Sequence, residues 1–217
     1  MAKELLNIIL EREYSLGNTI EKKGAELHLC QLGMARTQMM QAIIPEKTHD
    51  PLIHGEQIFK YAYFIGKELK LDEDEIQLIG FAARLHDVGK LLVPEYIINK
   101  PEKLNELEWL EMRKHPIYSE ALIQPFSYPA MLARHHHERI DGKGYPDKLK
   151  DKDIPLGSKI IAVIDSYNAM THQRPYNIVI PKKDAVEQLV INSDTQFDSK
   201  VANVFCRYLI NVEEVLS

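Results

Sequence analysis

The stretch IQLIGFAARLHDVGK, residues 76–90, gives the clearest indication of fold class in this chain. Its apolar residues recur at steps of three and four, so we predict a buried helix that ends at the polar pair His86-Asp87. The helix is predicted over residues 73–85, and the same periodicity is present in residues 26–44, 52–69, 106–113, 118–123, 129–137, 158–170, 184–191 and 199–212. Alternating runs bounded by hairpin turns are scarce, which favours an all-α protein.

Composition excludes several classes of protein. The chain has 217 residues and is 45% hydrophobic, enough for one substantial core. Its net charge of -5 argues against binding to long nucleic acid. Cys30 and Cys206 are too far apart in sequence to suggest a disulfide framework, which fits a reducing compartment. No apolar run approaches the roughly 18–20 residues of a membrane span, and the first residues make a poor secretory signal, so we expect a cytoplasmic protein.

A boundary between two parts of the chain is predicted near Pro45, which ends a helical segment. Residues 1–45 are expected to form a short N-terminal helical extension, and residues 46–217 the main domain. The Met-rich pattern LHLCQLGMARTQMMQAII suits a helix packed on the core or on a partner subunit, as in a homodimer. A regulatory role for the extension is the alternative.

Five histidines and two aspartates from separate helical segments predict a metal site. They are His54, His86, Asp87, His115, His136, His137 and Asp165. Adjacent residues on a helix point about 100° apart, but two metal ions can use such a pair when an imidazole binds one ion and a carboxylate bridges both. Asp165 follows an apolar run, so its carboxylate should be buried and in need of a partner or a metal. Nitrogen and oxygen ligands without thiolate favour iron or manganese.

Two further features lie near these ligands. Lys90 follows Asp87 by three residues, hence lies on the same helix face, and could contact a phosphate or a metal-bound water. The stretch HHHERIDGKGYP, residues 135–146, contains glycines and a proline that specify a turn in almost any protein. We call residues 139–149, which extend just beyond this turn, the GYP loop. Arg139 and Lys143 in this loop are either solvated charges or ligand contacts.

The order of these motifs resembles the HD-GYP family, a branch of the HD metal-dependent phosphohydrolases that degrades the bacterial second messenger cyclic di-GMP. The resemblance spans about residues 49–208. Its motifs are His86-Asp87-Val-Gly-Lys90, His115-Pro, His136-His137-Glu138, Asp141-Gly-Lys-Gly-Tyr145-Pro, Asp165 and Arg174-Pro-Tyr. Several ordered motifs at matching spacing make it specific.

The resemblance implies an HD-domain helical bundle with two, sometimes three, metal ions, commonly iron or manganese. The terminal ligands would be His54, His86, His115, His136, His137 and Asp165. Asp87 would bridge the metals, and His135 would be a bystander. A metal-bridging hydroxide would hydrolyse cyclic di-GMP to pGpG or GMP.

The resemblance also implies roles around the substrate. Lys90 would contact the scissile phosphate or help to protonate the leaving oxygen, and Arg174 would engage substrate. Tyr145 and Lys143 are further candidates for substrate contact. The GYP loop is implicated in the family in docking to diguanylate cyclase partners.

Four positions depart from the family pattern. Asn168 stands where aspartate is usual, Ser119 replaces a glycine after His-Pro, and Asn177 stands where a basic residue is common. Members with a third metal use a glutamate at the position of Asp50. Asp50 also suits an N-cap before proline, and its shorter side chain favours a two-metal site.

Two alternatives to a cyclic di-GMP phosphodiesterase stay open. One is an HD hydrolase of another nucleotide, such as cyclic GMP-AMP, which the missing charge at Asn177 supports. The other is a module with little turnover that binds cyclic dinucleotide or docks to partners. The intact ligand set counts against this second alternative.

Overall fold

The computed structural model describes residues 51–124, 126–172 and 179–212, with only the backbone described for residues 51–54. Its α-helices are α1 (Pro51–Glu68), α2 (Glu73–Leu85), α3 (Glu95–Ile98), α4 (Glu106–Met112), α5 (His115–Ile123), α6 (Ser127–Arg134), α7 (Leu156–Thr171), α8 (Lys182–Ile191) and α9 (Ser199–Val212). Two 3-10 helices span Val88–Leu92 and Asp151–Asp153. No β-strand occurs within these ranges, and the all-α prediction is confirmed.

Helix α2 lies at the centre of the domain because two of its faces are buried. One stripe, formed by Leu78, Phe81 and Leu85, packs against a cluster that includes residues of α5 and α6. The neighbouring stripe, with Ile79 and Ala82, belongs to the larger core cluster. Burial of an apolar side chain contributes about 1.5–3 kcal/mol, so α2 joins the two clusters into one domain.

The larger cluster holds α1 against α7, α8 and α9. Tyr61 of α1, Tyr167 of α7 and Phe205 of α9 are fully buried and make edge-to-face contacts, with the Tyr61 and Phe205 ring centroids 4.9 Å apart. Such aromatic pairs stabilise a core beyond the area that they bury. This packing fixes α7, which carries Asp165.

Several helix boundaries agree with the sequence, and local capping explains part of that agreement. The predicted helix 73–85 matches α2, whose N-cap Asp72 accepts a hydrogen bond from the amide of Glu75 at 2.7 Å. Asn105 and Glu108 form a capping box at the start of α4. Caps of this kind contribute about 1 kcal/mol each.

The predicted helix 129–137 is wrong at its C-terminal end, because α6 ends at Arg134. His135 has φ -102° and ψ 10°, so the backbone leaves the helix there and the next two histidines lie in a turn. The short helix α3 was not predicted. The predicted helix 26–44, and with it the N-terminal extension, lies outside the described residues.

None of the helices in the described ranges combines the length and apolar character that crossing a bilayer requires.

Candidate metal centre

The structure brings together six of the seven predicted ligands in two groups. Asp87, His115, His136 and His137 offer ligand atoms that all lie within 4.8 Å of one another. His86, Asp87 and Asp165 form a second group by the same measure. Asp87 is the member that the two groups share.

The two carboxylate oxygens of Asp87 face different groups. Its Oδ1 lies 3.2 Å from Nε2 of His115 and 4.0 Å from Nε2 of His136. Its Oδ2 lies 3.4 Å from Nε2 of His86, which is in turn 3.7 Å from Oδ1 of Asp165. This arrangement is what a carboxylate that bridges two cations requires.

The adjacent pairs His86-Asp87 and His136-His137 share a site because each lies beyond the end of a helix. Helix α2 ends at Leu85 and α6 at Arg134. Outside a helix, neighbouring side chains are not held 100° apart. The rings of His136 and His137 have centroids only 4.0 Å apart. The helix ends therefore determine which side chains can meet.

Three of the histidines are oriented by carbonyl groups in the last turns of helices. Nδ1 of His86 lies 2.7 Å from the carbonyl oxygen of Ala83, and Nδ1 of His136 lies 2.6 Å from that of Ala133. His115 makes the same contact with Met112 at 2.8 Å. Carbonyls at a helix C-terminus lack partners within the helix, so they accept the Nδ1–H proton. This fixes the tautomer and leaves Nε2 available to a metal.

The donor atoms of the site fit a cation. Nε2 of His86 and Oδ1 of Asp87 are buried without a hydrogen-bond partner, which is costly unless another ligand satisfies them. Nε2 of His115 and Nε2 of His136 are 3.4 Å apart. With both protons on Nδ1, these two nitrogens are acceptors and repel each other. A cation at this site would satisfy the unpartnered atoms and remove the repulsion between the two nitrogens. The partial negative charge of three helix C-termini also favours a cation.

Burial and charge keep two of these histidines neutral. Burial, together with the neighbouring His137, holds the pKa of His136 well below its ordinary value. Burial and the nearby His115 lower the pKa of His137 to about 3. Neutral imidazole is the form that binds metal.

Asp87 and His86 each stabilise the charged form of the other. Burial opposes ionisation of Asp87, yet the Lys90 ammonium and His86 hold its pKa well below the ordinary value. Burial also opposes the charge on His86, but Asp87 and Asp165 outweigh it and raise the pKa of His86 to about 10. A proton on His86 and a metal ion would therefore compete for the same nitrogen.

Lys90 lies on the rim of the centre, where its Nζ is 2.5 Å from Oδ2 of Asp87. The 3-10 helix Val88–Leu92 places it there, directly after the ligand pair. Its ammonium is only partly buried, so it can face both the Asp87 carboxylate and a ligand in solvent.

Ser119, noted in the sequence only as a departure from a family pattern, ties two ligand-bearing segments together. Its hydroxyl accepts a hydrogen bond from the amide of Gly89 at 2.8 Å and donates one to the carbonyl oxygen of His86 at 2.6 Å. A Cβ at Gly89 would lie 2.0 Å from the carbonyl oxygen of His115, so only glycine permits this approach. Sequence spacing could not reveal this contact, since the hydroxyl and the Gly89 amide are 30 residues apart.

The GYP loop is fastened by Glu138, whose carboxylate accepts hydrogen bonds from the amides of Asp147 at 2.6 Å and Leu149 at 3.1 Å. Glu138 is 3% exposed, so its carboxylate bonds to the loop amides and has little contact with solvent. Tyr145 of the loop stacks on the ring of His137, with centroids 4.7 Å apart. Arg113 covers Tyr145, with its Cζ 5.0 Å from the ring centroid.

A cavity of ≈ 210 Å³ opens beside this stack. Its lining comprises Arg113, His136, His137, Glu138, Arg139, Lys143, Gly144, Tyr145, Ala162, Ser166, Gln196 and Phe197. Lys143 is exposed at its edge. Arg139 is paired with Asp141 and bonded to Gln196.

The remaining predicted site residues divide as follows. The side chain of His54 lies outside the description, although its backbone belongs to α1. Asp50 and Arg174 also lie outside the described residues. His135 belongs to neither ligand group and instead contacts Asp147, with Nε2 and Oδ2 3.0 Å apart.

Comparison with known proteins gives concordant matches. Residues 38–201 match the HD domain family. The chain is 33% identical over 165 residues to the cyclic di-GMP phosphodiesterase response regulator RpfG of Xanthomonas campestris, covering 74% of this chain and 44% of that protein. It is 34% identical over 148 residues to 3'3'-cGAMP-specific phosphodiesterase 3 of Vibrio cholerae, covering 67% and 32%. It therefore spans less than half the length of either relative.

Among solved structures, Bd1817, an HDG"Y"P protein of Bdellovibrio bacteriovorus, superposes with a TM-score of 0.63. The two chains are 19% identical, and the match covers 96% of this chain and 67% of that one. At this identity the likeness shows the fold.

Proposed function

Because this chain belongs to the HD domain family, we propose that it is a metal-dependent phosphodiesterase that hydrolyses the cyclic dinucleotide cyclic di-GMP. The single observation that carries the proposal is the position of Asp87, whose two oxygens face two separate groups of ligand atoms. Two-metal enzymes that cleave phosphate esters hold their ions about 3.5–4 Å apart, a spacing that one shared carboxylate can span.

Family membership implies dependence on divalent metal. In our proposal His115, His136, His137 and Asp87 hold one ion, while His86, Asp165 and Asp87 hold a second. His54 adds a ligand, and Asp50 is a candidate for a third ion. The absence of thiolate among these residues favours iron or manganese. Bound ions would supply Lewis acidity toward the phosphoryl oxygens and lower the pKa of water.

The protein groups around the centre perform the remaining tasks. Lys90 Nζ can hold a phosphoryl oxygen by charge, and its proton is placed to pass to the leaving 3′ oxygen. Tyr145, stacked on the ring of His137, excludes water from one side of that imidazole. Arg174 is proposed to engage substrate through its planar guanidinium.

Cyclic GMP-AMP is the second candidate substrate. It is favoured by the 34% identity to a Vibrio cholerae protein named as 3'3'-cGAMP-specific, and by the neutral Asn177 at a position where a basic residue is common in the HD-GYP family. Cyclic di-GMP remains our first proposal because of the relative RpfG.

We further propose that the protein acts in the cytoplasm, where its substrate is a second messenger, and that the GYP loop docks diguanylate cyclase-type partners. The exposed Lys143 of this loop offers a charge to such a partner. Residues 1–45 are proposed to be a regulatory or dimerising extension.

Turnover tests the proposal. Protein reconstituted anaerobically with iron(II) or manganese(II) is expected to hydrolyse cyclic di-GMP, with cyclic GMP-AMP measured alongside. Asp87→Ala should lower turnover by about a hundredfold or more, because both ligand groups lose a member. Asp184→Ala, at an exposed aspartate of α8, is the matched control and should leave turnover unchanged. Fully metallated wild-type protein that hydrolyses neither substrate would contradict the proposal.

A further inference from the structure

Arg113 lies on the wall of the cavity beside the metal centre, where no carboxylate of the described residues pairs with it. Within the described residues, Arg84, Arg134 and Arg139 each pair with a carboxylate. No carboxylate of the described part of the chain pairs with Arg113, since nearby Glu111 is bound to Lys114 and Tyr118. A guanidinium held at a cavity without a counter-charge is available to an anion.

The position of Arg113 is fixed although it is exposed. It caps the C-terminal end of α4 directly after Met112, whose carbonyl orients His115. Its Cζ lies 5.0 Å from the centroid of the Tyr145 ring, a cation–π contact. Tyr145 is in turn stacked on His137. One aromatic ring therefore separates the guanidinium from an imidazole of the metal centre.

The charge balance of the cavity also favours an anion. The lining carboxylate Glu138 already accepts two backbone amides. Arg139 is neutralised by Asp141. Arg113 and Lys143 are left as open charges on the same wall, and both are positive.

We propose that Arg113 binds the second, non-reacting phosphate of the cyclic dinucleotide, an inference that rests on the proposed function. A cyclic dinucleotide carries two phosphodiester groups, and only one can lie at the metal centre. A planar guanidinium donates two parallel hydrogen bonds to phosphate oxygens. Arg113 thereby selects substrates with two phosphates over those with one.

Comparing two substrates distinguishes binding of the second phosphate by Arg113 from hydrolysis at the metal centre. The first is cyclic di-GMP, and the second is bis(p-nitrophenyl) phosphate, a diester with a single phosphate. Arg113→Ala is expected to raise KM for cyclic di-GMP about tenfold or more, with kcat within about twofold, since a charge-assisted hydrogen bond is lost. Hydrolysis of the single-phosphate diester and the metal content should not change. Arg113→Lys should recover only part of the affinity, because lysine lacks the fork.

Arg207→Ala is the matched control, because Arg207 is an exposed arginine of α9 that does not line the cavity. It should leave both substrates unaffected. Calorimetric titration of cyclic di-GMP into metal-free protein gives a second measure, in which Arg113→Ala should weaken binding and Arg207→Ala should not.

An unchanged KM in Arg113→Ala, or an equal loss of activity on both substrates, would overturn the inference while leaving the proposed function in place. Wild-type protein that cleaves the single-phosphate diester but neither binds nor cleaves a cyclic dinucleotide would overturn both.

Discussion

At the scale of the residue, the orientation of the candidate ligands depends on the imidazole nitrogens that face away from the centre. Nδ1 of His86, His115 and His136 each contacts a carbonyl three residues earlier in the chain. These histidines could be named as candidate ligands from their residue type and order in the chain. Their tautomers could not be predicted, because they depend on which carbonyls are left unpaired where α2, α4 and α6 end.

Ser119→Ala is expected to weaken both the fold and the metal site. It removes the acceptor for the Gly89 amide and the donor to the His86 carbonyl, and both groups are buried. We expect a loss of about 1–3 kcal/mol in the free energy of unfolding and about tenfold in metal affinity. Urea unfolding and competition with a chelator measure the two effects.

Ser158→Ala is the control for this variant. Ser158 is equally buried and donates to the carbonyl oxygen of Leu132 at 3.0 Å, in the packing of α6 on α7. It should reduce stability without reducing metal affinity. Equal metal affinity in both variants would show that Ser119 does not contribute to metal binding.

Asp141 provides a prediction about pH. The guanidinium of Arg139, which donates to its carboxylate, lowers the pKa of Asp141 to about 2. A depressed pKa means that the pair stabilises the folded state above the ordinary carboxyl pKa, and that this contribution is lost as pH falls toward 2. Titration of Asp141 followed by NMR should show this value, and Arg139→Ala should return it toward the ordinary one. An ordinary pKa in the wild type would show that the pair is absent in solution.

At the scale of the element, helix ends matter more to the site than helix faces. Periodicity predicted α2 and α9 at their observed bounds, because their apolar stripes are regular. It placed His136 and His137 inside a helix, whereas α6 ends at Arg134. Apolar periodicity carries no information about where a run of polar residues leaves the helix. The Ser119 contact escaped prediction for another reason, since it joins segments distant in sequence.

Glu138→Gln is expected to loosen the GYP loop. The amide side chain of glutamine keeps one acceptor oxygen and presents an NH₂ group to the other backbone N–H, so one of the two loop hydrogen bonds is lost. Amide hydrogen exchange at Asp147 or Leu149 should accelerate by about tenfold, as loss of roughly 1.4 kcal/mol implies. Exchange rates in α2 should stay the same and serve as the internal reference. Unaltered rates at both loop amides would show that Glu138 does not hold the loop.

At the scale of the whole molecule, the fold brings candidate ligands from distant helices to one point. His86 and Asp87 directly follow α2, His115 is the first residue of α5, and Asp165 lies on α7. The two core clusters on either side of α2 fix these elements relative to one another. The all-α class and the candidate ligands followed from the sequence, and six of those candidates lie in the two groups. The division of the ligands into two groups around Asp87 needed the structure.

The number of bound ions, and the magnetic coupling between them, test most directly whether the ligands form two groups that share Asp87. We would load the full chain with manganese(II), measure the ions per chain and record electron paramagnetic resonance spectra of wild type, Asp87→Ala and the control Asp184→Ala. The account predicts at least two ions with an exchange-coupled spectrum in wild type and control, and loss of the coupling in Asp87→Ala. A single, uncoupled ion in the wild type, or coupling that survives in Asp87→Ala, would contradict it.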